Sequence, residues 1–319
     1  MPVTITGGIS FTGNGVTMAG APVATAAWFT AGGTTVQRIT FETDTATPAV
    51  RGSFSTPFGG GGATSDLNYG WYAGGSNPSQ STVNRITYAS DTSTASVRGP
   101  LSAVKRYMGA SGTDTYGWFG GGYGTTTEQS TVERITYTTD TATAILRGPL
   151  SYTTRNMSAT GSSQYGWFAG GWAPGEARTV SDVSRITYAT DTNTASNRGP
   201  LSANKRGMAA VTDSTTYGWF GGGYRGINPP YVTTVVERIT FATDTVATSG
   251  RGPLTAGRQL FAAAGNTTDS WFGGGYTNGG GGSRSTLDRI TYASDTNTAS
   301  LRGTLIADAT SISAAAGQQ

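Results

Sequence analysis

The chain contains no cysteine and no histidine among its 319 residues, and only 12% of its residues are charged. Without cysteine there is no disulfide, no thiolate metal site and no cysteine nucleophile. Without histidine the chain lacks the commonest general base and the commonest transition-metal ligand. The formal charge is only +3 and no Lys/Arg run occurs, so we expect no nucleic-acid partner. These absences predict a protein without metal or cofactor.

Long apolar stretches are also missing. From the first residues, MPVTITGGISFTG, we expect no secretory leader, because a basic segment and a continuous apolar segment are absent. The chain has no run of about 18 apolar residues, so we expect no membrane-spanning helix. What the chain does have is 49 glycines together with many Ser and Thr residues. That composition is typical of short strands joined by tight turns, so we predict a β-rich chain without membrane insertion.

Six repeats run through the chain at intervals of 47 to 53 residues. Each contains a Trp, an Arg-Ile-Thr, an Asp-Thr six residues beyond that Arg, and an Arg-Gly thirteen residues beyond it. The repeated residues are Trp28, Trp71, Trp118, Trp167, Trp219 and Trp271; Arg38, Arg85, Arg134, Arg185, Arg238 and Arg289; Asp44, Asp91, Asp140, Asp191, Asp244 and Asp295; and Arg51, Arg98, Arg147, Arg198, Arg251 and Arg302. Packing repeats in every unit of such an architecture. We therefore interpret these residues as structural, hydrogen-bonding turns and pairing between strands, rather than as repeated ligand contacts.

One unit, residues 105–149, reads as four short strands. KRYMGASG is the first and YGWFGGG the second; STVERITY alternates as a third, and ATAILRGPL follows the turn TTDTAT as the fourth. Six such units predict an all-β, six-bladed propeller of four-stranded antiparallel blades. The spacing from Arg-Gly to the next Trp is 20 or 21 residues, whereas that from Trp to Arg-Ile-Thr ranges from 10 to 19. The variation therefore lies in the loop after the glycines, where function is most often carried.

The repeat resembles the kelch repeat over nearly the whole chain. The features in common are an Arg before the first strand, an aromatic–Gly-Gly end to the second, a Tyr closing the third, and Asp-x-x-Thr. It departs in placing Trp on the second strand, whereas kelch repeats usually carry Trp on the fourth. The sequences WFGGG, STVERITY, DTATA and RGPLS resemble kelch-like repeat proteins of aquatic bacteriophages.

The two ends of the chain have to close the ring. The C-terminal segment 311–317 has the pattern of a first strand, so we expect it to complete blade one. Residues 21–319 would then form the propeller, and residues 1–20 would be a separate N-terminal β segment able to act as an attachment arm. The alternative is a seventh, partial blade formed by residues 2–8 and 311–317.

Two sets of residues are candidates for ligand binding. The loop set consists of Arg225 and five aromatic residues, Tyr123, Trp172, Tyr224, Tyr231 and Tyr276. The aromatic rings can stack on sugar faces or simply cover blade edges. The basic set consists of Arg106, Arg155, Arg206 and Arg258, with Lys105 and Lys205 beside two of them. The kelch resemblance implies that the basic set lies near one mouth of the central channel. There it can bind an acidic sugar or a phosphate, or serve as scaffold.

The sequence favours a non-enzymatic protein. Galactose oxidase-like kelch enzymes need His ligands and a Tyr–Cys cofactor, which this chain lacks. A glycosidase needs two carboxylates, but no acidic residue here departs from the repeat in a way that marks such a pair. The phage resemblance implies a virion component: a decoration protein, a fibre or a host-recognition propeller, assembled in the bacterial cytoplasm and later extracellular. Its partners would be other virion proteins or a host-surface glycan or protein. The alternatives are a free lectin-like propeller, secreted or on a cell surface, and, less favoured, a glycoside hydrolase.

Overall fold

The computed structural model describes residues 9–12, 15–18, 23–30, 33–76, 78–176, 178–226, 231–277 and 282–318. Six antiparallel sheets, each built on four strands, are arranged in a ring. Each sheet is one blade, with its first strand at the centre and its fourth at the rim. The predicted fold class, a six-bladed all-β propeller, is therefore confirmed.

The strands keep one order in every blade. Their bounds, from first to fourth strand, are Ala314–Gly317, Ala26–Thr30, Thr35–Thr40 and Ala49–Ser53 in blade one; Gly62–Ser65, Tyr69–Ala73, Val83–Thr87 and Ser96–Arg98 in blade two; Gly109–Gly112, Tyr116–Gly120, Val132–Thr136 and Ile145–Arg147 in blade three; Ser158–Gly161, Tyr165–Ala169, Val183–Thr187 and Ser196–Arg198 in blade four; Ala209–Thr212, Tyr217–Gly221, Val236–Thr240 and Ser249–Arg251 in blade five; and Ala262–Gly265, Asp269–Gly273, Gly282–Thr291 and Ser300–Ala309 in blade six.

Short elements complete the blades. A 3-10 turn follows each third strand, at Phe41–Thr43, Tyr88–Ser90, Tyr137–Thr139, Tyr188–Thr190, Phe241–Thr243 and Tyr292–Ser294. The loops of blades four and six carry the small strands Trp172–Ala173, Arg178–Thr179 and Tyr276–Thr277, and blade four adds the 3-10 turn Pro174–Glu176. Within the described ranges, no helix has both the length and the apolar character needed to cross a membrane.

Blade one joins the two ends of the chain. Its first strand, Ala314–Gly317, pairs antiparallel with Ala26–Thr30, so that Ala315 lies opposite Trp28. Segment 311–317 thus belongs to blade one rather than to a seventh blade, and residues 2–8 lie outside the described residues. Nearer the N-terminus, Ile9–Thr12 pairs with Gly15–Met18 in a separate two-stranded sheet.

Small side chains line the central channel. The first strands place one alanine per blade around the axis: Ala63, Ala110, Ala159, Ala210, Ala263 and Ala314. Six strands can meet this closely because methyl groups take little room. No charged side chain lines the channel in the part of the chain that the structure describes.

Charged and aromatic side chains join each blade to the next. At the junction of blades three and four, the Trp118 indole Nε1 donates a hydrogen bond to Asp191 Oδ2 over 2.8 Å. Arg134 Nη1 and Arg147 Nε lie 3.0 and 3.4 Å from the same oxygen. The Tyr188 ring stacks on Trp118 with 3.9 Å between ring centroids. Three repeated residues of one blade thus converge on the repeated aspartate of the following blade.

Every junction has this arrangement, including the one that closes the ring. The indole–carboxylate pairs are Trp28–Asp91, Trp71–Asp140, Trp118–Asp191, Trp167–Asp244, Trp219–Asp295 and Trp271–Asp44. The six tryptophans are at most 1% exposed. Their repetition is accounted for by this contact between neighbouring blades.

The glycine of the Arg-Gly pair belongs to the same junction. Gly148 N donates to the backbone oxygen of Asp191 over 2.7 Å. A Cβ added to Gly148 would lie only 2.0 Å from the backbone oxygen of Asn193. Glycine is needed here because the two blades approach so closely, not because of an unusual φ.

Candidate ligand-binding face

The two ends of the ring differ in what they expose. The segments joining second to third strands emerge at one end, which we call the loop face. The Asp-Thr turns emerge at the opposite end, which we call the turn face, because neighbouring strands are antiparallel. The candidate loop aromatics and the candidate arginines both lie at the loop face.

A ring of backbone hydrogen bonds surrounds the channel mouth at the loop face. One residue from each blade has a positive φ of 54° to 65°: Gly60, Tyr107, Asn156, Gly207, Leu260 and Ser311. Each donates its N–H to the carbonyl of the equivalent residue in the preceding blade, over 2.5 to 2.8 Å. The circle closes with Gly60 N donating to Ser311 O. Because a left-handed residue interrupts the strand, the first strand of blade three begins at Gly109 rather than at Lys105 as predicted.

Short backbone bridges hold the loop aromatics beside this mouth. Tyr123 exchanges two hydrogen bonds with Arg106, of 2.7 and 3.0 Å. The same antiparallel bridge joins Trp172 to Arg155, Tyr224 to Arg206, and Tyr276 to Gln259. In blades three to six, the aromatic residue after the glycine pair is thereby fixed next to the residue that directly precedes the positive-φ residue of its own blade.

The arginines interleave with these rings through blades three to five. The guanidinium carbon of Arg106 lies 4.9 Å from the centroid of the Tyr123 ring, and that of Arg155 lies 5.1 Å from the same ring. Arg206 lies 5.0 Å from the Trp172 ring and 4.7 Å from the Tyr224 ring. These are cation–π distances. The structure therefore brings the two predicted sets together in one patch, which we call the Arg–aromatic patch.

The remaining loop residues flank the patch. Tyr231 stacks on Tyr224 with centroids 6.2 Å apart and is 40% exposed. Tyr276 is also 40% exposed, and Arg225 is exposed. Residues 227–230 of the loop between Arg225 and Tyr231 lie outside the described residues.

Arg258 does not belong to the Arg–aromatic patch, contrary to its prediction as a channel-mouth residue. Its side chain is fully buried and its Nη2 lies 3.0 Å from Asp288 Oδ2. Arg258 stands three residues before Phe261, as Lys105 stands three residues before Met108. It is thus the counterpart of Lys105, and Gln259 is the counterpart of the patch arginines.

The buried cations form ion pairs inside the blades, for which the sequence pattern gave no signal. Lys105 Nζ lies 2.9 Å from Glu133 Oε1, and Lys205 Nζ lies 2.7 Å from Glu237 Oε1. The carboxylates precede the Arg of Arg-Ile-Thr on the third strand and are fully buried. Burial lowers the pKa of both lysines, while their partner glutamates oppose that shift.

Blade four fills the same place with neutral groups. Ser184 replaces the carboxylate and contacts Ser151, while Thr154 stands where the lysine would be. The Tyr152 hydroxyl donates to the carbonyl of Asp182 over 2.8 Å. Lys105 donates to the equivalent carbonyl, that of Thr131, in blade three. A charged pair and a neutral set thus serve the same structural position.

The charge balance differs among the three patch arginines. Arg155 Nη1 lies 3.3 Å from Glu128 Oε1, and Arg106 Nη1 donates to Ser79 Oγ over 2.7 Å. Arg206 has no such acceptor among the residues that the structure describes. Burial lowers the pKa of the Arg206 guanidinium, Tyr224 opposes this, and the positive charge of Arg155 lowers the pKa further. The patch therefore holds excess positive charge around Arg206.

Comparison with known proteins establishes the fold and goes no further. No protein-family model matches the sequence, and no curated protein matches it. Solved structures do match, among them one described as "Structure of YjhT", with a TM-score of 0.66 and 12% sequence identity over 79% of this chain and 86% of that chain. At this identity the likeness is one of fold. The kelch-like and bacteriophage resemblances stay predictions.

Proposed function

We propose that the chain is a non-enzymatic recognition propeller of a bacteriophage particle, and that its loop face contacts a host-surface glycan or protein. The observation that carries the recognition role is the Arg–aromatic patch. Flat rings such as Trp172 and Tyr224 suit sugar faces, and guanidinium groups donate hydrogen bonds to polar substituents. The channel, by contrast, presents alanine methyl groups and offers little specificity.

The distribution of repeat variation supports the loop face as well. Neighbouring blades are joined in all six units by the repeated Trp, Arg-Ile-Thr, Asp-Thr and Arg-Gly. Contacts between blades therefore already account for the residues at these positions. The segment from Trp to Arg-Ile-Thr alone varies widely in length, from 10 to 19 residues. Variable loops on a rigid scaffold are the usual place for recognition.

Attachment to the particle is assigned to residues 1–20 in this proposal. The supporting observation is that strands Ile9–Thr12 and Gly15–Met18 pair with each other and with no blade strand in the described ranges. A segment outside the blade sheets can contact other virion proteins without disturbing the ring.

The first test is mass spectrometry and imaging of the particle from the native source. We expect this chain as a stoichiometric virion component, and a chain lacking residues 1–20 should fold but fail to incorporate. A free monomer in the source would refute the virion role and favour the lectin-like alternative.

The second test is a glycan array and a host-cell binding assay with the full chain. We expect Trp172→Ala to lose binding. Val246→Ala is the matched control, because Val246 is 65% exposed and lies on the turn face. Equal binding by both variants would refute the loop face as the recognition surface.

A further inference from the structure

Three arginines occupy equivalent positions at the loop face but use their side-chain donors differently. Arg155 pairs with the carboxylate of Glu128, and Arg106 donates to a serine hydroxyl. The Arg206 side chain lies at cation–π distance from the Trp172 and Tyr224 rings and makes no side-chain hydrogen bond within the described ranges. Among the three patch arginines, Arg206 is therefore the one whose side-chain donors are unused within the described ranges.

The stacking of Arg206 orients its donors. A guanidinium is planar, with five N–H groups directed outward in its plane. The Trp172 and Tyr224 ring centroids lie 5.0 and 4.7 Å from its central carbon, and cation–π contacts of this kind use the faces of a guanidinium and leave its N–H edge for a ligand. Arg206 is half-buried, and none of its side-chain nitrogens is fully enclosed without a partner. The Arg106 Nε, in contrast, is buried and has no partner among the described residues.

The local charge favours an anion at this place. Arg155 is close enough to lower the pKa of Arg206, and Arg225 is exposed on the neighbouring loop. Glu128 balances only one of these cations, through Arg155. Because Glu128 balances Arg155, the charge of half-buried Arg206 is the one left for a bound anion to neutralise.

We propose that Arg206, framed by Trp172 and Tyr224, binds an oxyanion carried by the ligand of the loop face: a carboxylate, sulfate or phosphate group on a glycan. The planar fork of Arg206 matches two oxygens of such a group. This inference rests on the proposed recognition function and specifies the chemical class of its ligand as acidic.

The direct test uses sulfate, inorganic phosphate and acetate as probes of the full chain, at constant ionic strength against chloride. Trp172 is half-exposed while the six repeated tryptophans are buried, so a saturable change in tryptophan emission reports on the patch. We expect Arg206→Gln to weaken binding about tenfold or more, and Arg206→Lys to have an intermediate effect because it keeps the charge but loses the fork. Arg284→Gln, at an exposed arginine of blade six, is the matched control and should bind as the parent does.

Polymeric probes then distinguish the source of the oxyanion. Carboxymethyl-dextran, dextran sulfate and dextran phosphate are compared with neutral dextran, with equal urea midpoints required of all variants. Retention of one charged dextran by the parent and by Arg284→Gln, but not by Arg206→Gln, supports the site and identifies its anion. The oxyanion site would be refuted if Arg206→Gln bound the anions as the parent does, or if chloride changed the tryptophan emission of the parent as the oxyanions do.

The outcomes also separate this inference from the proposed function. If neutral glycans bind, depend on Trp172 and ignore Arg206→Gln, the recognition role stands and the oxyanion site is refuted. If small anions bind through Arg206 but no glycan or host surface is recognised, the site stands and the recognition role is refuted.

Discussion

Replacing Glu237 by serine is expected to destabilise the propeller strongly, although serine stands at the same place in blade four. Glu237 is fully buried and accepts hydrogen bonds from Lys205 Nζ and Thr248 Oγ1, both at 2.7 Å, and from the Ser202 N–H at 3.1 Å. Lys205 is only 1% exposed, so the variant would leave a buried ammonium without a counter-charge. Removing one partner of such a pair costs about 3 to 5 kcal/mol.

The neutral set of blade four supplies a matched rescue. Ala203→Tyr, Lys205→Thr and Glu237→Ser together reproduce in blade five the residues Tyr152, Thr154 and Ser184. A cavity lined by Ala203, Lys205 and Glu237 offers space for the new ring. Because exchanging a whole buried ion pair for a packed neutral set is often close to neutral, we expect this triple variant to unfold within about 1.5 kcal/mol of the parent.

Urea denaturation followed by tryptophan fluorescence measures both changes, since urea does not screen ion pairs as guanidinium chloride does. A third variant, Ala203→Tyr with Lys205→Thr, leaves the Glu237 carboxylate unpaired and should be as unstable as Glu237→Ser. If the triple variant loses as much stability as the sum of its parts, the neutral set does not replace the ion pair, and the reasoning is refuted.

Three further outcomes test the blade junctions and the buried pair. Gly148→Ala should prevent folding or lower the urea midpoint severely, because the added Cβ would lie 2.0 Å from a backbone oxygen. Gly250→Ala is the control and should be neutral, because nothing lies within 4 Å of its added Cβ. Equal urea midpoints for the two variants would contradict the close approach of the blades at Gly148. Asp191→Asn keeps a hydrogen-bond acceptor for Trp118 but removes the charge that pairs with two guanidinium groups. The free energy of unfolding in urea should fall by about 3 kcal/mol. An unchanged urea midpoint would disprove this expectation. Burial raises the pKa of Glu237, but the charge of Lys205 and hydrogen bonds outweigh it and leave the pKa below its ordinary value. The stability contributed by ionised Glu237 is therefore present above the ordinary glutamate pKa and is lost as the pH falls through the lowered pKa of Glu237. The parent should thus lose more stability on acidification than the triple variant. Parallel pH profiles of the two proteins would argue against the Lys205–Glu237 pair.

Much of the fold could be predicted because its signal is local and repeated. Fixed spacing of Trp, Arg-Ile-Thr and Arg-Gly defines the unit, and alternation within STVERITY identifies a strand. The partners of these residues could not be predicted in the same way. Trp118 and Asp191 lie 73 residues apart, in different repeats. A single repeat contains both an indole and a carboxylate, and nothing in its sequence says that each bonds outside its own blade.

The kinds of residue in the candidate site could be predicted from the sequence, but which individual residues belong to it could be predicted less well. Aromatic residues after the glycines indicated the loop face, and arginines before the first strands indicated its charge. The error at Arg258 arose from a one-residue offset that counting back from Phe261 would have revealed. The stacking of Arg206 on Trp172 depends on two neighbouring blades meeting at one angle, which no linear pattern encodes.

The circle of amides at the channel mouth makes the number of blades a property of the backbone. Each member donates to the blade before it and accepts from the blade after it, so the circle has no end at which a unit can be added. Gene duplication or loss of one repeat would have to break a bond in this circle and reclose it at a different radius. Change in repeat number is thus resisted at the axis, while the segments between second and third strands at the loop face are free to lengthen and diversify.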